Sequence, residues 1–198
     1  MESRKRNRKQ DFDYSKDGIY FITACCKKRI HHFGEIINGE MQLNEFGIIA
    51  HNQILWIETQ YTYVELHNFV VMPNHVHILF EIVGTGRDLS PHSPEIDYAG
   101  ISSISDGSSL IDGTRTGRDM SLLKIKSISS LIGAYKTTSS KSIHLAGNDD
   151  FFWQRSFYDS IVLVTKQYDT IYNYITENPK RWIKDIFNQE TNPNCQED

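Results

Sequence analysis

The apolar positions of this chain either alternate or recur at helical spacing, and the two periods assign most of its elements. "GIYFITACC" (18–26) is β-branched and aromatic and predicts a strand. "FGEIINGEMQL" (33–43) sets Asn38-Gly39 between two apolar runs, the strongest short signal for a β-hairpin. In "NEFGIIAHNQILWIETQ" (44–60), Phe46, Ile49, Ile54, Leu55 and Ile57 return at helical spacing, with Asn44 where an N-cap belongs. "YVELHNFVVM" (63–72) and "HVHILFEIV" (75–83) predict two strands joined through Pro73-Asn74. "SLLKIKSISSLIGAYKTTSSKSI" (121–143) predicts a Ser-capped helix with Leu122, Ile125, Ile128, Ile132 and Tyr135 on its apolar stripe. "FFWQRSFYDSIVLV" (151–164) reads as an aromatic loop entering a strand. A last helix follows, capped by Thr165 and ending before Pro179. Strand, hairpin, helix, paired strands, helix, strand, helix is the order of an α+β fold, an antiparallel sheet packed by helices.

The pattern lapses over 84–120, which is rich in Gly, Ser and Asp and long for a loop in a compact domain. "TGRDLS" (85–90) returns there as "TGRDMS" (116–121), a single echo and too little for a solenoid. The expected organisation is a basic arm (1–16), one domain (17–182) interrupted by a long flexible insertion (84–120), and a polar tail (183–198).

Composition narrows the class. A length of 198 residues suits one domain, and a hydrophobic fraction of 39% suffices for a packed core. No apolar run approaches the roughly 18 residues of a membrane span. "MESRKRNRKQ" lacks the apolar stretch of a secretory signal, and Cys25, Cys26 and Cys195 form no disulfide or zinc pattern. Both facts predict a cytoplasmic protein. The net charge of −4 argues against nucleic-acid binding, but its distribution argues for it. Arg4, Lys5, Arg6, Arg8 and Lys9 crowd the N-terminus, and 120–148 holds Lys124, Lys126, Lys136 and Lys141 without an acid. Two basic stretches of this kind can meet phosphates while an acidic periphery sets the total.

The strongest chemical signal lies in "FVVMPNHVHILF" (69–80). Alternation on a strand puts His75 and His77 on one face and Val76 and Ile78 on the other. Two imidazoles on one face can chelate a divalent metal or grip a phosphate. The second signal is "YDTIYNYITENPKRW" (168–182). On a helical wheel Tyr168, Ile171, Tyr172 and Ile175 share the natural core arc. Gln167, Tyr174 and Asn178 fall on a polar stripe beside it, and Tyr174 and Asn178, at i and i+4, are neighbours. Tyr174 can therefore present its phenol beside the Asn178 amide at a site begun by the histidines.

"YSKDGIYFIT" (14–23), "FGEIINGEMQLNEFG" (33–47), "VVMPNHVHILF" (70–80), "FWQRSFYDSIV" (152–162) and "YITENP" (174–179) together resemble the REP-associated tyrosine transposases. That family is a branch of the single-tyrosine HUH insertion-sequence transposases. The resemblance implies a ferredoxin-like sheet with the histidines on a central strand. It implies His75, His77 and Asn178 as ligands of Mg²⁺ or Mn²⁺, and Tyr174 as the nucleophile that cleaves and rejoins single-stranded DNA through a 5′-phosphotyrosine link. The partners implied are single-stranded DNA and DNA hairpins, bound by Arg4, Lys5, Arg6, Arg8, Lys9, Lys124, Lys126, Lys136 and Arg155. Trp153 and Phe157 either stack on unpaired bases or pack in the core. Monomer and homodimer both stay open. The sequence departs from the family pattern at Ser160, where His is usual, and at Leu163, where Arg is usual. Two other readings compete: the same fold binding DNA hairpins without catalysis, and a small Zn²⁺ hydrolase, which lacks a clear carboxylate base near the pair.

Overall fold

A computed structural model describes residues 17–83 and 125–188. The arm at 1–16, the insertion at 84–120, Lys124 and the tail beyond Asn188 lie outside the described residues. Among the described residues, six strands and three α-helices follow in order: β1 (Gly18–Cys25), β2 (Gly34–Ile37), β3 (Glu40–Leu43), α1 (Glu45–Gln60), β4 (Val64–Met72), β5 (His75–Ile82), α2 (Ile128–Leu145), β6 (Tyr158–Val162) and α3 (Thr165–Arg181). β4, β5, β1 and β6 form one sheet in that order, every neighbouring pair antiparallel. With the β2–β3 hairpin set aside, this is the βαββαβ arrangement of a ferredoxin-like fold, with an added C-terminal helix.

The hairpin forms where the sequence signals it. Asn38 and Gly39 adopt φ of 53° and 79°, as a tight turn between right-twisted strands requires. Asn44 caps α1, its side chain accepting from the Gly47 N–H at 2.9 Å. Gly47 is obligatory because a Cβ there would stand 2.1 Å from the Phe33 carbonyl. The buried face of α1 is Gly47, Ala50, Ile54 and Ile57; Leu55, expected on it, is 42% exposed.

The sheet carries a core on each face. Tyr20, Ile22, Ala24, Val76, Ile78 and Phe80 pack with Ile54 of α1 and with Leu131, Ile132 and Tyr135 of α2. Each fully buried isoleucine in that layer contributes roughly 1.5–3 kcal/mol relative to exposure. Leu79, Val162, Ile19 and Phe21 turn to the other face and meet Tyr168, Ile171, Tyr174 and Ile175 of α3. Odd-numbered residues of β5 therefore face α3, and the two histidines are among them.

The helices depart from expectation in three respects. α2 begins at Ile128, capped by Ser127, and runs on to Leu145; Leu122 lies outside the described residues. Thr165 is the first residue of α3 rather than its cap: Val164 is the N-cap and makes no side-chain cap bond. Gln167 reaches back instead, its Oε1 accepting from the Leu163 N–H at 3.1 Å. α3 also runs through Pro179 to Arg181 and passes into a 3-10 turn at Trp182–Lys184. Proline removes one helical donor, but Ile175 and Asn178 before it and Trp182 after it are buried, and that packing holds the helix together.

Candidate functional site

His75 and His77 open β5, opposite Cys25 and Thr23 of β1 in the strand register. Asn74, in the turn before β5, fixes the first imidazole. Its amide nitrogen donates to the carbonyls of Arg29 (2.9 Å) and Phe187 (2.8 Å). Asn74 Oδ1 must then face His75 Nδ1, 2.8 Å away, and accept its proton. His75 Nε2 is left as a lone pair. Thr23 Oγ1 and His77 Nδ1 share a hydrogen bond of 2.8 Å, which holds the second ring. The two Nε2 atoms stand 3.1 Å apart, and the Tyr174 hydroxyl lies 3.2 Å from His77 Nε2.

Burial governs the charge of the pair. His75 is 0% and His77 1% exposed. Desolvation pushes the His75 pKa well below its ordinary value, with help from the neighbouring His77 ring and the Arg29 charge, and lowers that of His77 to about 3. Both rings are neutral at physiological pH and available as donors. The Tyr174 pKa is raised, first by burial and then by the Asp185 carboxylate. Asp185 is itself raised by burial, which its bond from the Phe187 N–H opposes. Asn178 lies near enough to both groups to lower their pKa values. None of its contacts reaches hydrogen-bond geometry, so the fully buried Asn178 amide keeps both polar atoms unbonded.

This donor set fits a divalent cation. Two donors on adjacent octahedral positions, each about 2.1 Å from an ion, stand about 3.0 Å apart, close to the spacing of the imidazoles. Each ring is held by a second bond at Nδ1, as ligating histidines are. The Asn178 carbonyl oxygen is a buried acceptor without a hydrogen, an arrangement that a cation would satisfy.

The structure thus brings His75, His77 and Tyr174 together, with Asn178 beside Tyr174. It also turns α3 about 40° from the orientation read off the wheel. Ile171, Ile175 and Asn178 centre the buried arc, while Tyr172, expected in the core, is 39% exposed. The sheet face beneath is itself polar at the histidines, so the helix lays its polar stripe against it. The stretch read as a polar tail (183–198) begins with residues that pack: Asp185, Phe187 and Asn188 are buried. The Phe187 ring lies 4.6 Å and the Trp182 ring 6.0 Å from His75. These two rings cover the pair. Arg29 secures the cover, donating to the Ile186 carbonyl at 2.8 Å and stacking on Phe187. Asp185 supplies a carboxylate beside Tyr174 that the sequence did not signal.

The basic residues are dispersed. Lys126 is held on Tyr61, 4.9 Å above its ring, and the Lys136 ammonium donates to the carbonyls of Gln154 and Ser156. Desolvation lowers the Lys136 pKa to about 8. Lys136 and Arg155 line one open groove with Lys141, His144 and Phe152. Trp153 packs on Phe33, Phe151 and Tyr135, and Phe157 packs against the same core; Phe152 is the aromatic of this loop that is 48% exposed. Ser160 faces Phe21 in the register, and Leu163 is exposed. A separate group of possible metal ligands, Glu65, His67 and Glu81, gathers further along the α3 face of the sheet. No helix among the described residues is long and apolar enough to cross a membrane.

No family model matches the sequence. The chain is 29% identical over 192 residues to an uncharacterized protein of Haemophilus influenzae, with 93% of each covered. Among solved structures it is similar to a REP-associated tyrosine transposase bound to a REP hairpin. That likeness has a TM-score of 0.51 at 19% identity and covers 89% of this chain and 76% of the other. At that identity the likeness is one of architecture: this chain has the fold of a REP-associated tyrosine transposase.

Proposed function

We propose that the protein is a metal-dependent, single-strand DNA endonuclease and strand transferase that acts at REP-like hairpins with Tyr174 as nucleophile. The carrying observation is the Tyr174 hydroxyl 3.2 Å from His77 Nε2, beside a tethered histidine pair and an unbonded buried amide. His75, His77 and Asn178 would hold Mg²⁺ or Mn²⁺. Such an ion would polarise the scissile phosphate and make the neighbouring phenol more acidic. Tyr174 contributes its oxygen: a bond forms from it to phosphorus, the bond to the 3′-oxygen breaks, and that oxygen leaves as a hydroxyl. The 5′-phosphotyrosine link conserves the ester for rejoining. Because burial raises the Tyr174 pKa, the phenol is protonated before attack and its proton must depart as the new bond forms. Thr23 and Asn74 keep the imidazole nitrogens aimed. Arg155 and Lys141, on the groove beside exposed Phe152, offer phosphate contacts and a stacking ring.

A second reading, hairpin binding without catalysis, draws on the complete burial of the pair beneath Phe187 and Trp182. A trapping assay separates the two. Incubation with Mn²⁺ and a REP-like hairpin carrying a single-stranded flank is expected to give an SDS-stable protein–DNA adduct. Tyr174→Phe should abolish the adduct and Tyr172→Phe should retain it. A binding-only protein shifts the hairpin on a native gel and forms no adduct with any metal.

A further inference from the structure

Glu65 on β4 and Glu81 on β5 are direct cross-strand partners, near the end of β5 remote from His75 and His77. Like charges placed opposite each other on one sheet face repel, and a cation between them would relieve that repulsion. His67 is the extra residue of a bulge in β4, where the register slips between Leu66 and Asn68. Bulges re-aim side chains, and this one brings the His67 ring to the two carboxylates. One ligand atom from each of the three residues lies within 4.8 Å of the others.

The two ring nitrogens of His67 have different surroundings. Nδ1 is 3.1 Å from the Tyr168 hydroxyl of α3. Nε2 is shielded from solvent and makes no hydrogen bond, although Glu81 Oε2 is only 3.4 Å away. An N–H at Nε2 would therefore be buried and misdirected. With the ring proton on Nδ1 and donated to Tyr168, Nε2 becomes a lone pair beside the carboxylate oxygens. That is how a ligating histidine is oriented by its outer partner. The 3.4 Å separation also matches two donors of one tetrahedral ion, which at about 2.1 Å from the metal stand about 3.4 Å apart.

We propose that Glu65, His67 and Glu81 form a second cation site, distinct from the histidine pair, for a divalent transition metal of the Zn²⁺ or Mn²⁺ class. One imidazole and two carboxylates suit those ions, and the two negative charges balance the ion's own. Exposed Glu65 leaves the site open to solvent on one side. Since Tyr168 belongs to α3, an ion there would also fasten to the sheet the helix that carries Tyr174.

The test uses the full chain, stripped with EDTA and titrated with Zn²⁺ by isothermal calorimetry. The comparison is wild type against the isosteric double variant Glu65→Gln/Glu81→Gln and against His67→Gln. The expected result is one fewer bound equivalent in the double variant, and affinity at that site weakened by about 100-fold or more in His67→Gln. The Zn²⁺-induced rise in melting temperature should shrink in parallel. Ions held at His75 and His77 persist in both variants, so the outcome is independent of the proposed catalytic site. Unchanged stoichiometry in the double variant would overturn the proposal and leave these residues as a His67–Glu81 ion pair only.

Discussion

Replacing Asn178 by leucine should move stability and metal response in opposite directions. The two side chains share a γ-branched shape, and Asn178 is 0% exposed with neither amide atom hydrogen-bonded. A buried amide in that condition costs about 1–3 kcal/mol. The nearby Tyr174 and Asp185 recover part of this, while leucine's better helix propensity adds a few tenths of a kcal/mol. The metal-free variant should accordingly be more stable than wild type by about 1–2 kcal/mol. For a chain of this size that is a rise of roughly 2–8 °C in melting temperature. In Mn²⁺ at about 100 times its dissociation constant, wild type should gain about 2.7 kcal/mol. The variant should lose most of that gain at the histidine pair. Differential scanning calorimetry in EDTA and in Mn²⁺ reads both numbers. A variant that is destabilised in EDTA yet keeps the full Mn²⁺ gain would show that Asn178 serves packing and not the cation.

Three other perturbations follow from the same geometry. Thr23→Val removes the Nδ1 partner of His77 without changing shape, and Mn²⁺ affinity followed by electron paramagnetic resonance should fall about 10–100-fold. Phe187→Ala should cost about 3 kcal/mol or more and speed modification of the histidines by diethyl pyrocarbonate; an unchanged rate would deny Phe187 its covering role. The third concerns pH in EDTA. His75 and His77 have folded pKa values below the ordinary 6.5, that of His77 at about 3, so the unfolded chain binds more protons in this interval. Their contribution to stability is complete above 6.5 and is lost progressively as pH falls towards 3. Urea unfolding should lose about 1–2.5 kcal/mol between about pH 6 and 5, and a flat profile would mean the rings are not buried as neutral groups.

What the sequence made legible is local. Alternation alone put His75 and His77 on one face, because a strand's period of two leaves no other choice. The Asn38-Gly39 turn and the Asn44 cap were equally readable, since each depends on the backbone chemistry of its own residues. What escaped depends on partners distant in the chain. Tyr172 and Tyr174 could be told apart on the wheel, but the rotation that exposes Tyr172 is set by the polar histidine face of another element. Pro179 marks a helix end locally and is overridden by burial on both sides of it. Asp185 and Phe187 sat in an apparently polar tail, with no periodicity to announce that they reach back to His75. Asn74 reads as a turn residue; its role in fixing the His75 tautomer requires the carbonyls of Arg29 and Phe187. Glu65 and Glu81 become neighbours only through strand pairing, and His67 joins them only through a bulge.

The central claim is that Tyr174 forms the covalent link to DNA. Tryptic digestion of a trapped adduct should release Gln167–Lys180, the peptide that contains Tyr168, Tyr172 and Tyr174. Tandem mass spectrometry of that peptide places the phosphonucleotide on one of the three. The account predicts the added mass on Tyr174, and its absence from Tyr174→Phe protein. A modification on Tyr168 or Tyr172, or no adduct in Mn²⁺ with a cleavable single-stranded flank, would contradict it.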